Sequence, residues 1–289
     1  MSRSSVLMWG VLGSLLVVAA AALFWFSARD GSLERVRGAG GLRIGFAVEA
    51  PHAFLAHSGE VTGQSPEVAR QVAARLGIHD IEWRLMEFGM LLKELQEGRI
   101  DMIAAGMFIT RERAAQVSFS DPIFHARPGL LTVRGNPHRL HSFGAVRANA
   151  RVRVAVLTGS VEADALRETG LDESRLVMAP DAQTGRAAVE TGLADALALS
   201  TPTLRWMTMR HPGKTELAQP FDQTGPVVEK CSGYGAFAFR KQDKALLEAW
   251  NREQRAFLAT DGYRDLMKRF GFGLDDMPGE STAAEVLSR

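Results

Sequence analysis

Cysteine is nearly absent: Cys231 is the only one in 289 residues. An intramolecular disulfide is therefore excluded, and so is a zinc site built on paired cysteines. No cysteine follows the apolar run near the N-terminus to carry a lipid, and Cys231 itself reads as a small buried residue. An excess of charge of either sign is lacking too, with 34 basic residues against 33 acidic ones. Without a basic stripe or an acidic tract, nothing in the chain suggests a nucleic acid or a polyacidic partner. Internal repeats, low-complexity tracts and runs of like charge are also missing. So are the Ser-His-Asp order, the HExxH pattern and the phosphate loop that would announce a hydrolase, a metalloprotease or a nucleotide enzyme. No cofactor and no metal is expected, and a monomer that binds a small molecule is what the absences leave.

What is present begins with an uncharged apolar run from Val6 to Phe26, behind Arg3. As a helix its roughly 21 residues would span about 31 Å, close to the thickness of a bilayer's hydrocarbon core. A cleavable signal has an apolar core of only about 7–15 residues and then a small-residue cleavage site. Ala19–Ala22 could supply that site, yet Leu23, Phe24, Trp25 and Phe26 prolong the run beyond it. Residues 1–31 are thus either a cleaved signal or a retained anchor. Both export the rest of the chain, to the periplasm or the extracytoplasmic face of the cell membrane.

The exported part alternates strand and helix patterns, as parallel sheets with covering helices do. Leu42–Val48 reads as a buried first strand, Ile81–Met86 as a second and Ile100–Ala105 as a third. Ser65-Pro66 is expected to open a helix that Gly77 closes, and Phe88–Glu97 a helix that stops at Gly98. The rhythm returns after Pro137 with strands at Val152–Leu157, Leu176–Ala179 and Ala194–Leu199. Ser160 and Asp181 stand as N-caps, the latter helix ending at Gly192, and Ser200-Thr201-Pro202 starts a further helix. Tyr234–Arg240 reads as one returning strand, and the remainder as helices with stops at Gly262 and Gly271. Two such blocks predict two α/β lobes, each a mainly parallel sheet with helices on both faces. Ligands of these sheets sit at the carboxyl ends of the strands, which directs attention to Glu49–Phe54, Gly106–Arg113 and Leu157–Glu162.

Those loops carry the segments GMFITRERAAQVSFSDP (Gly106–Pro122), TGSVE (Thr158–Glu162) and, later, YGAFAFRKQDKALLEAWN. Together, in this order, they resemble the amino-acid-type (family 3) solute-binding proteins of ABC importers. Within that family the chain is most similar to the ectoine and hydroxyectoine binders, through EAPH at Glu49–His52, EFG at Glu87–Gly89, AAGMFIT and GNPHRLHS. The resemblance implies a larger lobe of residues 40–127 plus 231–289 and a smaller lobe of 128–230, hinged near Phe124–Pro128 and Glu229–Gly233. It also implies ABC importer permease subunits as partners and a small zwitterionic ligand.

A guanidinium presents a planar fork of donors that matches a carboxylate, and Arg113 follows Thr110, a plausible N-cap. The resemblance assigns Arg113 to the ligand's carboxylate, with Arg111 turned to another face. Ser160 offers a hydroxyl and nearby N–H groups from the other lobe. Where α-amino-acid binders of the family have an aspartate for the ammonium group, this chain has Ser200. A delocalised cation suits aromatic faces and one carboxylate, and Phe88, Phe108 and Glu49 match the ectoine binders' aromatic box and its acidic edge. The third box position is His52, with Phe54 two residues on. A neutral imidazole at that wall would make affinity fall as pH drops from about 7.5 to about 5.5; a solvent-facing His52 would leave the wall to Phe54. Two alternatives remain open: a binder of a polar amino acid, and a periplasmic dehydratase on the same fold, with Glu49 or Glu162 as general acid.

Overall fold

The computed structural model describes residues 30–38, 41–222, 224 and 233–288. The apolar run Val6–Phe26, Cys231 and the lobe boundary at 230/231 lie outside the described residues. Among the described residues no helix is long and apolar enough to cross a membrane.

Two five-stranded sheets carry the molecule. In the first the order is Ile81–Leu85, Leu42–Phe46, Met102–Ile103, Ala238–Phe239, Ser118–Phe119. Leu42–Phe46 pairs in parallel with both its neighbours, while Ala238–Phe239 runs antiparallel to both of its own. The second sheet repeats the plan with Leu176–Ala179, Val154–Leu157, Ala196–Ser200, Pro128–Val133 and Thr215–Leu217. Its first three strands are parallel, and Pro128–Val133 is antiparallel to both neighbours. Each sheet is thus mixed: three parallel strands come from the alternating units, and the antiparallel ones come from segments that enter or return between lobes.

Continuous apolar runs make the central strands, because both faces are covered. Leu42 and Ile44 share one core with Val68, Ala69 and Val72 of the helix Gln64–Arg75, while Leu91 and Leu95 of the helix Leu91–Gln96 cover the opposite, Gly45 face of the strand. The helix Lys244–Leu258 returns from the far end of the chain to add Leu246 and Trp250 to the same core. The second sheet is covered by Val161–Glu168, Ala182–Glu190 and Thr201–Arg210. Between the sheets in chain order, Phe124–Ala126 and Gly233–Gly235 form a two-stranded antiparallel ribbon.

Gly77, Gly98, Gly192 and Gly271 follow the ends of their helices, and Asp181 and Ser160 cap theirs. Other boundaries differ. The helix expected to open at Ser65 begins at Gln64; the Ser65 hydroxyl donates to Gln64 instead of capping. Phe88–Met90 is a 3₁₀ turn ahead of the α-helix Leu91–Gln96. Tyr234–Arg240 is two strands, because the backbone leaves the ribbon at Gly235 and joins the first sheet at Ala238. Gly262 is no stop: Leu258 ends one helix, and the Thr260 hydroxyl accepts from Tyr263 N to cap the next, Asp261–Arg269, which contains Gly262.

Candidate ligand-binding cleft

The topology brings five strand ends together. Glu49 follows Leu42–Phe46, Phe88 follows Ile81–Leu85 and Phe108 follows Met102–Ile103; Ser160 follows Val154–Leu157, and Ser200 ends its own strand. These carboxyl ends face one another and enclose a small cavity of about 20 Å³. Its walls include all six residues singled out in the sequence: Glu49, His52, Phe88, Phe108, Arg113 and Ser160. Glu162 and Ser200 also line it. Glu162 was legible only as a possible acid, and Ser200 only as a missing aspartate. A wider, open hollow lies elsewhere on the second lobe, between Arg139, Arg205 and Leu217; it gathers no buried acid–base cluster.

Arg113 is buried and is placed by the short helix Arg111–Ala114, whose Thr110 cap accepts from Arg113 N. Its Nη1 donates to Phe108 O and its Nη2 to Gly159 O, each at 2.9 Å, so one guanidinium touches both lobes. The Phe88 ring lies 5.6 Å from its central carbon, within cation–π range. Burial lowers the Arg113 pKa, opposed by the charges of Glu162, Asp164 and Glu112. Arg111 is exposed.

The lobes also meet through side chains. Thr203 Oγ1 donates to Glu49 Oε1 at 2.7 Å, and His52 Nε2 and Ser200 Oγ lie 3.2 Å apart. Backbones touch where Gly89 meets Gly159: a Cβ on Gly89 would stand 3.1 Å from Thr158 O, and one on Gly159 would stand 3.2 Å from Gly89 Cα. The absence of side chains at Gly89 and Gly159 is what lets the lobes approach this closely.

Three further ionisable groups here depart from ordinary behaviour. Burial pushes the Glu49 carboxyl up to about 7, against the Thr203 hydrogen bond. Burial and the nearby Glu49 push Glu162 up to about 8, although Arg113, the Ser160 hydroxyl and its own N–H favour the charged form. Burial alone pushes His52 down to about 3.

The packing of the ring argues against the expected titration of His52 between pH about 7.5 and about 5.5, where an unperturbed imidazole would change charge. The ring is 1% exposed, tilted against Phe124 at 4.5 Å and edge-on to Phe272 at 5.3 Å, so water cannot stabilise an imidazolium. Gly106 allows this, since a Cβ there would fall 2.7 Å from His52 Cγ. Phe54 does not take over the wall: it packs on Trp206 and Phe270 and is not among the residues lining the cavity. Among the described residues no cluster of His, Cys, Asp and Glu is arranged to hold a metal ion.

Comparison with known proteins agrees with this architecture. The "Probable amino-acid ABC transporter periplasmic-binding protein y4tE" of Sinorhizobium fredii is 32% identical over 267 residues, covering 90% of this chain and 87% of that protein. The L-cystine-binding protein TcyJ of Bacillus subtilis is 27% identical over 161 residues, 55% of this chain and 60% of its own. Among solved structures, EhuB in complex with hydroxyectoine superposes with a TM-score of 0.82 at 27% identity, over 89% of this chain and 98% of that one. The ancestral amino acid-binding protein AncCDT-1, a precursor of cyclohexadienyl dehydratase, gives a TM-score of 0.72 at 25% identity, over 83% and 99%. These relatives are mostly binding proteins, and one stands at the root of a dehydratase. With residues 42–273 matched by the family of bacterial extracellular solute-binding proteins, family 3, the chain belongs to that family and is a solute-binding protein of the ABC-importer type.

Proposed function

We propose that this chain captures a small zwitterionic compatible solute, of the ectoine or hydroxyectoine type, and hands it unchanged to the permease subunits of an ABC importer. The observation that carries the reading is one cavity in which buried Arg113 stands beside Phe88 and Phe108, with Glu49 lining it too. A guanidinium has five donors; with two used on Phe108 O and Gly159 O, it still presents N–H groups to a carboxylate. Aromatic faces and one carboxyl suit a weakly hydrated, delocalised cation better than a compact ammonium. Ser200, bound to His52 and Thr203, offers no counter-charge to an α-ammonium group. The likeness to a hydroxyectoine-bound structure supports the same ligand class.

In this reading residues 40–127 with 231–289 and residues 128–230 are the two jaws, hinged at the ribbon of Phe124–Ala126 and Gly233–Gly235. The protein works as a monomer outside the cytoplasm, released or tethered by the run Val6–Phe26. Glu49, His52, Phe88, Phe108, Arg113 and Ser160 contact the ligand, His52 as a fixed neutral wall.

A thermal-shift panel of ectoine, hydroxyectoine, glycine betaine, proline and the standard amino acids tests this, because a ligand stabilises in proportion to the logarithm of its excess over Kd. Ectoine or hydroxyectoine should raise Tm most. Stabilisation by a standard amino acid alone would make this a polar amino-acid binder instead. The raised carboxyls of Glu49 and Glu162 favour a second reading, a dehydratase; conversion of a bound hydroxylated acid without the importer would establish it.

A further inference from the structure

The cleft contains one acid more than a zwitterion needs. Glu49 enters from the first lobe and Glu162 from the second, and both line the same small cavity. Glu162 is 3% exposed and sits in the first turn of Val161–Glu168, behind the Ser160 cap. No ion pair holds it among the described residues. The charged groups that act on it are Glu49 and Arg113, while Arg113 also feels Asp164 and Glu112; His52 stays neutral.

The charges can be counted with a zwitterion in place. Its carboxylate neutralises Arg113 and its cation neutralises Glu49, so an ionised Glu162 would leave a net negative charge in an enclosed site. An excess charge in an enclosed site is costly even where the Ser160 hydroxyl and a backbone N–H bond to it, and such a group protonates instead.

We propose that Glu162 is a further specificity-determining residue, which admits a zwitterion only together with one proton but admits a ligand of net positive charge without one. The proposal rests on the clamp reading above and adds the charge the clamp selects. The proton comes from solvent onto a Glu162 carboxylate oxygen as the jaws close, and it returns to solvent when they open; no bond of the ligand changes.

The sign follows from linkage. In an open, hydrated cleft Glu162 titrates near the ordinary value of about 4.3, whereas in the closed cavity burial and Glu49 hold it at about 8. Closure on a zwitterion between those values takes up a proton, so affinity falls about tenfold per pH unit as pH rises. This is opposite in direction to what a titrating His52 would produce.

Calorimetric titration of the full-length protein, in two buffers of different ionisation enthalpy at pH about 6 and about 8, reads both affinity and protons. The probes are ectoine, hydroxyectoine and proline as zwitterions, and arginine and lysine as monocations. For the wild type, a zwitterion should bind roughly 100-fold more weakly at the higher pH and take up about one proton. Glu162→Gln should abolish the slope and the proton uptake and bind more than about 1,000-fold more tightly than wild type at pH about 8. A zwitterion that binds the wild type with a flat profile, or a variant that keeps the slope, overturns the proposal and leaves the clamp reading intact. Binding of arginine or lysine alone, without proton uptake and lost in Glu162→Gln, sinks the compatible-solute reading and upholds the role of Glu162. Silence from both classes of probe, with the protein folded by circular dichroism, overturns both.

Discussion

Arg113 Nη2 donates to the Gly159 carbonyl at 2.9 Å, from a loop of the first sheet to a loop of the second. The same guanidinium that is assigned to the ligand's carboxylate is therefore also a strut between the jaws. Arg113→Ala removes both, and the loss of a charge-assisted, bidentate contact in a closed cleft should cost about 3 kcal/mol or more, over a hundredfold in Kd. Arg111→Ala, at an exposed position two residues away, should change Kd less than about twofold. Isothermal titration of both variants decides it; equal losses would mean that the contact is not specific to Arg113.

The two glutamates make closure of the empty clamp depend on pH. Their closed-state values of about 7 and about 8 lie above the ordinary carboxylate range, so the closed form binds more protons than an open or unfolded one. Its stability is then fully present at acid pH and is lost as pH rises through those values. Small-angle scattering of ligand-free protein should show the radius of gyration increasing from pH about 5.5 to about 8.5, and Glu49→Gln/Glu162→Gln should flatten that profile. A wild-type radius that is constant across the range would show that the carboxyls do not govern closure.

His52 should be silent in the same experiments. Since Phe124, Phe272 and Gly106 pack on the ring from its own lobe, its burial persists when the jaws part, and no charge change on it accompanies titration near neutrality. Affinity measured at several pH values should give parallel profiles for the wild type and His52→Phe, whatever the offset between them. Converging profiles would return the titration to the histidine.

Gly89 and Gly159 set how closely the jaws approach. A Cβ on Gly89 would stand 3.1 Å from Thr158 O and 3.2 Å from its Cγ2, and further methyl groups would collide. Because that contact exists only between lobes, Gly89→Val should weaken ligand binding at least about tenfold while moving the ligand-free Tm by only about 2 °C. A large fall in Tm with unchanged Kd would place the constraint within one lobe instead.

Much of this arrangement is legible in the sequence, for a definite physical reason. In doubly wound sheets the strand ends converge, so reading strands also locates the loops that carry Glu49, Phe108, Arg113 and Ser160. What the sequence hides depends on contacts between distant segments. Burial of His52 is made by Phe124, Gly106 and Phe272, the last from the C-terminal part of the first lobe. The Thr203–Glu49 hydrogen bond spans 154 positions and exists only because the lobes meet. Phe54 has the composition of a wall, but Trp206 and Phe270 draw it to the outer seam. Glu162 looks like an ordinary first-turn acid at a helix N-terminus, favourable on dipole grounds; only enclosure with Glu49 and Arg113 makes it a problem of charge.

A crystal structure of the protein grown with ectoine would show whether one cavity holds the ligand's carboxylate on Arg113 and its cation among Phe88, Phe108 and Glu49. Ectoine is expected in the cleft, with its carboxylate oxygens about 3 Å from the Arg113 nitrogens and its ring between the two phenylalanines. Density for the ligand with its carboxylate away from Arg113, or a cleft empty at saturating ectoine, would contradict that arrangement.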